Sequence, residues 1–298
     1  MKILIAGSKG QLGHELLIQG NNLGYEILPA DLPDLDITDK TQVKHSLEKF
    51  QPFLVVNAAA YTNVDKAETE QNLAFAVNRD GPANLAEACA KFDIPLIHIS
   101  TDFIFDGKKS SPYIESDSVS PLSIYGKSKQ EGENEVRSRL KKHIILRTAW
   151  LYGVHGQNFV KTMLRLGRKK EVISVVADQF GSPTSAADLT DAVLQIISRI
   201  KKYNGDINWG TYHYCGLGIT TWHGFTEEIL GLARQHISIK TKKVKSISTA
   251  EYLTKATRPC FSALDCNLIK KNFSINIKPW QDSLKIVIRR LCQKEPEK

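Results

Sequence analysis

Two residues of this sequence, Tyr125 and Lys129, have types and a spacing that suit proton transfer to a carbonyl group. If the segment is helical they share one face, because residues four apart are neighbours on a helix. An adjacent ammonium group favours the phenolate and would lower the tyrosine pKa from its ordinary value of about 10. Such a tyrosine can act as a general acid. Taken alone, the pair is a weak signal, and an exposed surface helix is the more usual explanation.

A glycine-rich turn follows the first apolar segment of the chain. Gly7, Gly10 and Gly13 have the spacing GxxGxxG, a variant of the dinucleotide-binding GxGxxG pattern. Small residues there let the backbone approach a pyrophosphate, whose charge suits the N-terminus of the following helix. A plain strand-to-helix turn is the alternative, but the position directly after an apolar strand favours nucleotide binding.

Two further segments could contact a dinucleotide. Asp31 stands near the end of the second predicted strand, where an acidic residue binds the adenosine ribose and disfavours a 2′-phosphate. Asp34 and Asp36 are close rivals, so both NADH and NADPH stay open as the cofactor. The alanines of segment 58–60 follow a third strand and leave room for a flat ligand, although small residues could equally pack beneath a helix.

The elements that must position these residues are short apolar strands that alternate with amphipathic helices in the first half of the chain. This alternation predicts an α/β fold with a doubly wound parallel-sheet Rossmann domain. After Trp150 the pattern loosens, which predicts a smaller mixed α/β substrate lobe. We expect residues 1–150 plus roughly 182–214 to form the NAD(P)-binding domain, and roughly 151–181 and 215–298 to form the second lobe.

Composition narrows the class of protein. The formal net charge of +8 suits an acidic ligand, but the basic residues are diffuse and lack interleaved aromatic residues, which argues against nucleic-acid binding. The five cysteines are scattered and show no metal-site spacing. No apolar run approaches the roughly 18 residues of a membrane span, and no signal peptide precedes the first strand. We therefore expect a cytoplasmic protein.

Taken in order, the glycine loop, the alanine run, the Ser-Thr-Asp strand end and Tyr-x-x-x-Lys give the chain a resemblance to extended short-chain dehydrogenases/reductases. Within that class it resembles the dTDP-4-dehydrorhamnose reductase family. The matching segments run nearly end to end and include VVNAAAYTNVDKAE, HISTDFIFDG, YGKSKQEGE, TYHYCG and ATRPCFSALD. The last two are specific to this family. The resemblance implies NAD(P)H-dependent reduction of the 4-keto group of dTDP-4-dehydro-L-rhamnose, in deoxysugar and polysaccharide biosynthesis.

The resemblance also implies a role for individual residues. Tyr125 would be the catalytic acid, Lys129 would hold the nicotinamide ribose, and Thr101 would bond the sugar carbonyl. The implied cofactor contacts are Gly7, Gly10, Gln11, Leu12, Asp31, Asp36, Ile37, Ala60, Tyr61, Thr62, Tyr125 and Lys129. The implied substrate contacts are Val64, Thr101, Asp102, Trp150 and, at the nucleotide diphosphate, Arg258.

Two departures from the family pattern limit what the resemblance implies. Phe103 stands where the family often has tyrosine, which removes a polar group near the sugar. Some members dimerise around magnesium through a residue like Glu15 and later acidic residues. Here Glu15 is present, but Ala187 stands where a second glutamate is expected, with Asp188 beside it. We therefore predict no metal. A homodimer is still possible.

Two other interpretations of the function stay open. The chain could be a non-catalytic nucleotide-binding regulatory subunit of the same fold, or a reductase of a neighbouring dTDP-4-keto-deoxysugar.

Overall fold

A computed structural model of the chain describes residues 1–202 and 207–293. The strands in these ranges are β1 (Lys2–Ala6), β2 (Glu26–Ala30), β3 (Leu54–Asn57), β4 (Leu96–Thr101), β5 (His143–Thr148), β6 (Leu151–Tyr152), β7 (Val172–Val176), β8 (Phe180–Gly181), β9 (Thr184–Ser185), β10 (Gly210–His213), β11 (Thr220–Thr221) and β12 (Lys243–Ile247). The α-helices are α1 (Gln11–Asn22), α2 (Lys40–Phe50), α3 (Val64–Ala67), α4 (Gln71–Phe75), α5 (Gly81–Lys91), α6 (Ile124–Arg139), α7 (Phe159–Lys169), α8 (Ala186–Lys202), α9 (Trp222–Ala233), α10 (Asn267–Phe273) and α11 (Trp280–Gln293). A π-helical turn covers Ala76–Asp80.

The central feature is a six-stranded parallel sheet with the strand order β10-β5-β4-β3-β1-β2. The chain moves outward in one direction from β1 to β2 and in the other from β3 to β10. This arrangement confirms the predicted doubly wound α/β fold. It places the switch point between β1 and β3, where open α/β sheets bind their ligands.

Helices cover both faces of this sheet, which explains why its strands are nearly continuous apolar runs. Ile3 and Ile5 of β1 face one way, into a core shared with α1 and α8. Leu4 faces the other way, into a core shared with α2, α5 and α6. Successive residues of a strand point to opposite faces, so one short strand contributes to both cores.

A separate apolar core lies in the later part of the chain. Phe225 and Ile229 of α9 pack there with Trp280 and Leu284 of α11, and the core also includes residues of α7 and β7. β7 pairs in parallel with β12 in a small two-stranded sheet. We propose the predicted division into two lobes on this basis. Residues 203–206 and 294–298, which that division includes, lie outside the described residues.

Several of the segments that the sequence singled out lie at one edge of the sheet, because the carboxyl ends of the parallel strands β1, β3, β4 and β5 meet there. Thr101 is the last residue of β4, and the glycine loop, the alanine run and Trp150 come shortly after the other three strands. Among the described residues, no helix is both long enough and apolar enough to cross a bilayer.

Candidate active site

The glycine loop adopts a conformation that side chains would block. Gly7 has a φ of +78°, and a Cβ there would overlap the backbone of Ala59 at the end of β3. A Cβ on Gly13 would overlap the Gly7 carbonyl, so that α1 could not pack against the loop. Gly10 precedes α1 and offers no capping side chain. The first N–H groups of the helix are therefore open to an anion, and the loop fits a dinucleotide pyrophosphate.

Asp31 lies beside this loop, where its carboxylate accepts a hydrogen bond of 2.9 Å from the Lys9 backbone N–H. The other two residues predicted to contact the cofactor on this side, Asp36 and Ile37, make contacts within the protein instead. Asp36 caps a turn by accepting two bonds of 2.8 Å from Thr38, and Ile37 is buried in the core beneath α5. Contact of Asp36 and Ile37 with the adenine side stays a prediction.

The segment that holds Ala60, Tyr61 and Thr62 is fixed by a residue that the sequence analysis missed. The Asn78 side chain accepts a bond of 2.9 Å from the Tyr61 N–H and donates one of 3.0 Å to its carbonyl. It also donates to the Ser128 hydroxyl on α6, at 3.0 Å. Asn78 lies in the π-helical turn, a local irregularity often found at functional sites. It joins segment 60–62, which we predicted to contact the cofactor, to the helix that carries Tyr125.

Tyr125 and Lys129 lie in the first turns of α6, which the spacing predicted to be helical. Ser123 caps the helix by accepting from the Gly126 N–H at 3.1 Å, a favourable arrangement for a serine at this position. The Glu68 side chain accepts a hydrogen bond of 2.9 Å from the N–H of Ile124, the first residue of the helix. The start of the helix is therefore held on two sides.

Lys129 is only 2% exposed, and its Nζ donates a bond of 2.7 Å to the Ile99 carbonyl of β4. Burial lowers the pKa of Lys129 to about 8, and the negative charge of Glu133 acts in the opposite direction. Glu133 is itself fully buried in a two-point ion pair with Arg147 of β5, at 2.9 and 2.8 Å. The bidentate pair stabilises a buried carboxylate one turn beyond Lys129.

The pKa of Tyr125 is shifted in the direction opposite to the expectation. This pKa is raised to about 12, mainly by burial; the Thr101 hydroxyl lowers it, and the negative charge of Asp102 is a smaller cause that raises it. The expectation that Lys129 lowers this pKa is wrong for the chain itself, because Lys129 is not among the groups that shift it. Tyr125 therefore keeps its proton at neutral pH, which suits a proton donor.

Thr101 and Asp102 mark the end of β4, directly opposite the start of α6. The Thr101 hydroxyl donates to Asp102 Oδ1 at 3.1 Å and accepts from the Phe103 N–H at 3.2 Å. Burial raises the pKa of Asp102 to about 6, partly offset by hydrogen bonds, first from Ser262. Thr101, Tyr125 and the Asp102 carboxyl are thus brought together, and Lys129 lies one helical turn from Tyr125.

A cavity of about 810 Å³ opens beside this group, between the sheet edge and the smaller lobe. Residues from both sides line it, among them Thr62, Val64, Phe103, Trp150, Gln179, Trp222, Arg258 and Ser262. The Phe103 ring also packs edge-on against Tyr125, with ring centroids 5.6 Å apart. The cavity is large enough for a nucleotide-sized ligand and mixes apolar walls with a few polar groups, as ligand sites do.

Trp150 forms one wall of this cavity in an unusual backbone conformation. Its φ of +47° lies in the left-handed region that bulky residues rarely adopt. Its ring stacks on Trp222 of α9, with centroids 3.5 Å apart and planes 5° from parallel. A Cβ on Gly181 would lie 2.5 Å from the Trp150 ring, so only glycine leaves space for it. Sequence reasoning missed Trp222, which no motif marks.

Arg258 lines the cavity from the second lobe. Its Nη2 donates to Asp65 Oδ2 at 2.7 Å, and Asp65 Oδ1 also accepts from the Ala256 N–H at 3.2 Å. Asp65 therefore holds both the guanidinium and the backbone of its loop against the first lobe. An arginine uses only part of its fork of five donors in such a bond, so donors remain for a second anion.

The residues that the resemblance associates with magnesium in some members face cations in this chain. Glu15 Oε1 lies 3.7 Å from Arg290 Nη1, and Asp188 Oδ1 lies 3.0 Å from Lys278 Nζ, so that both carboxylates face cations. Ala187 has no ligand atom in its side chain. Within residues 1–202 and 207–293, no three His, Cys, Asp or Glu side chains are grouped as metal ligands.

A parallel sheet with a glycine loop at its switch point, and a buried Tyr-x-x-x-Lys pair beside a threonine, define a Rossmann-fold protein of the short-chain dehydrogenase/reductase class. The family described as "RmlD substrate binding domain" matches residues 1–293. The chain belongs to this family, as the resemblance predicted.

This chain aligns with its relatives over nearly the whole length of both sequences. A dTDP-4-dehydrorhamnose reductase of Aggregatibacter actinomycetemcomitans is 42% identical over 95% of this chain and 97% of its own. A crystal structure of a dTDP-4-dehydrorhamnose reductase from Clostridium acetobutylicum is 41% identical, with a TM-score of 0.91 over 98% of this chain and 99% of its own. One from Bacillus anthracis, in complex with NADP, is 38% identical, with a TM-score of 0.90 over 97% of this chain and 99% of its own.

Proposed function

We propose that the chain uses NADPH or NADH to reduce the 4-keto group of dTDP-4-dehydro-L-rhamnose to dTDP-L-rhamnose. The observation that supports this most is the meeting of Tyr125 and Thr101, with Lys129 one helical turn away. Phe103 packs on Tyr125 and lines the neighbouring cavity together with Trp150 and Arg258. The names of relatives at up to 42% identity point to the same substrate.

In this proposal the reduced nicotinamide supplies a hydride to the keto carbon, and the protein supplies the proton and the orientation. Tyr125 holds its proton because burial raises its pKa to about 12, and it transfers that proton to the keto oxygen as negative charge develops there. The hydroxyl of Thr101 stands beside Tyr125 and can stabilise the same oxygen. Lys129, whose Nζ is held by the Ile99 carbonyl one helical turn from Tyr125, would bind the cofactor ribose.

The two ends of the substrate would be bound differently. Trp150, stiffened by its stack on Trp222, offers a flat apolar wall to a sugar or base. Arg258, oriented by Asp65, offers the guanidinium donors that suit a diphosphate. Gln11 and Leu12 at the start of α1, with Thr62 and Val64 after β3, would lie along the cofactor and the adjoining sugar nucleotide.

The direct experiment is to follow oxidation of NADPH and of NADH by the purified chain with dTDP-4-dehydro-L-rhamnose. We expect turnover that Tyr125→Phe lowers by about 10²–10⁴-fold, the usual contribution of a positioned general acid. Cofactor binding should persist in that variant because the phenyl ring is kept. Tyr25→Phe, which changes a tyrosine before β2, is the matched control and should keep full activity.

Three results would decide between the open interpretations. Cofactor binding without turnover of any keto sugar would overturn the proposal and favour the regulatory subunit. Faster turnover of another dTDP-4-keto-deoxysugar would assign the chain to that substrate. Product formation would agree with a role in polysaccharide synthesis, and a relative 38% identical, from Bacillus subtilis, is named a spore coat polysaccharide biosynthesis protein.

We further propose a cytoplasmic location, which cell fractionation would test, and a homodimer, which sedimentation velocity would test.

A further inference from the structure

The loop between β6 and α7 lies along the first turn of α1, the helix that follows the glycine loop. Gly156 in this loop has a φ of +61°, and a Cβ there would lie 2.8 Å from Gln11 Cγ. The ring of His155 packs on that of His14, with ring centroids 4.0 Å apart. A segment of the proposed second lobe therefore touches the start of α1, where we expect the cofactor pyrophosphate.

Asn158, the last residue of this loop, joins the two helices by hydrogen bonds. Its Nδ2 donates to Gln11 Oε1 at 2.9 Å and to the Gly153 carbonyl at 2.8 Å. Its Oδ1 accepts from the Lys161 N–H at 3.1 Å and so caps the N-terminus of α7. An asparagine amide has two N–H groups to donate and an oxygen to accept with, so these three partners use both ends of the side chain.

The two ends of this link belong to different ligand sites. Gln11 is the first residue of α1, where an anion can meet the open N–H groups of the helix. On the other side, Phe159 and Thr162 in the first turn of α7 line the large cavity. The Thr162 hydroxyl donates to the Asn158 carbonyl at 3.0 Å. Asn158 therefore holds the turn that forms part of the cavity wall.

Asn158 is not placed to bind a ligand itself. Its side chain does not line the cavity, and both of its hydrogen-bond acceptors on the Nδ2 side are oxygens of the protein. Any effect on the two ligand sites must therefore pass through the residues that it holds. The sequence analysis singled out Gln11 but not Asn158, because the bond between them joins positions 147 residues apart.

We propose that Asn158 is a positioning residue that couples cofactor binding to binding of the sugar nucleotide. This inference rests on the proposed function. A dinucleotide at the N-terminus of α1 would fix the Gln11 side chain, and Gln11 would then hold Asn158 and the first turn of α7. The ligand that binds second has less of the protein left to order, so it binds more tightly. By thermodynamic linkage, each ligand strengthens binding of the other by the same factor.

The test is the Kd for NADPH, measured by calorimetric titration without and with saturating dTDP-L-rhamnose. This product is already reduced at carbon 4, so no hydride transfer disturbs the equilibrium. For the unsubstituted chain we expect the product to lower the Kd by about 5- to 10-fold, the lower part of the range for coupled sites. Asn158→Ser keeps a helix cap but is too short to reach Gln11, so this ratio should fall below about twofold. The Kd for NADPH alone should change by less than about threefold, since the variant removes no ligand contact.

Asn272→Ser is the matched control. Asn272 of α10 donates a bond of 3.0 Å to the Tyr212 hydroxyl of β10, and neither residue lines the cavity. This variant should keep the ratio of the unsubstituted chain. The proposal is overturned if the unsubstituted chain shows a ratio near one, if Asn158→Ser keeps the full ratio, or if Asn272→Ser loses it to the same extent.

Should Asn158→Ser fail to fold, the same bond can be removed from its other end. Gln11→Met keeps a side chain of similar length without the acceptor oxygen and should lower the ratio as far. Where both variants fold, the double variant should lose no more than either alone, because each removes the same bond. Additive losses would contradict the link.

Failure of the proposed function is distinguishable from failure of the link. If the proposed function is wrong, the unsubstituted chain turns over no keto sugar, and both proposals are overturned. If only the link is wrong, turnover and both single-ligand affinities are intact, but the ratio does not depend on Asn158.

Discussion

The proposed cofactor side and the proposed substrate side of the active site are built in different ways. On the cofactor side, a short contiguous loop after β1 and the segment after β3 bring backbone groups together, and their conformation depends on glycine at two positions. On the substrate side, Trp150, Trp222 and Arg258 come from three distant segments and meet only through the packing of the second lobe. The proposed cofactor site therefore depends on backbone geometry, whereas the proposed substrate site depends on individual side chains.

The largest expected effect follows from the backbone of the cofactor side. Gly7→Ala should abolish NADPH binding and lower the free energy of unfolding by several kcal/mol, on the order of the 2–5 kcal/mol of severe steric changes. The cause is overlap between the new Cβ and the Ala59 backbone, which cannot move without shifting β3. Calorimetric titration with NADPH and urea denaturation would measure both quantities.

Gly24→Ala is the matched control for this change. Gly24 has a φ of +74°, close to that of Gly7, but nothing lies within 4 Å of a Cβ built there. Its cost should be limited to the left-handed conformation, about 1–2 kcal/mol, with NADPH binding unchanged. Equal effects of the two substitutions would show that steric approach to β3 is not what the cofactor loop requires.

The next effect tests a single side chain of the substrate side. Arg258→Ala should raise the KM for the dTDP-sugar by about 10- to 100-fold, equivalent to the roughly 1.5–3 kcal/mol of a charged hydrogen bond. NADPH affinity should be unaffected because Arg258 belongs to the second lobe. Steady-state kinetics with each substrate varied in turn would measure the KM for the dTDP-sugar and the KM for NADPH separately.

Two further variants sharpen that result. Arg258→Lys keeps the charge but loses the fork, and should recover only part of the affinity. Arg139→Ala removes an arginine from a surface pair with Glu135 and should leave both KM values unchanged. A rise in the KM for NADPH alone would place Arg258 on the cofactor side and contradict the proposed division of the site.

The smallest effect concerns the stacked tryptophans. Trp222→Leu should weaken binding of the dTDP-sugar by about 3- to 10-fold, because an aromatic pair contributes roughly 0.5–1.5 kcal/mol beyond its buried area. Without its partner, Trp150 would lose the ring that holds it in place. Trp209→Leu changes a tryptophan packed on the core of the sheet and should reduce stability without a specific loss of sugar affinity. Identical sugar affinities in the two variants would count against a role for the stack.

The same contrast explains how far the sequence predicts this protein. The glycine loop, the strands that end near Asn57 and Thr101, and the Tyr125–Lys129 pair are local patterns, and each lies where its pattern indicates. Trp222 and Asp65 have no such pattern, since their roles depend on which segments the second lobe brings together. The pKa of Tyr125 was predicted in the wrong direction because burial and the Asp102 charge raise it, and Lys129 is not among the groups that shift it.

The most direct test of the proposed reaction is to follow where the hydride goes. NADPH carrying deuterium at nicotinamide carbon 4 would be incubated with the chain and dTDP-4-dehydro-L-rhamnose, and the product examined by NMR. Our account predicts dTDP-L-rhamnose with deuterium on sugar carbon 4, and no transfer in the Tyr125→Phe variant over the same time. Deuterium at another carbon, or unlabelled sugar after full incubation, would contradict it.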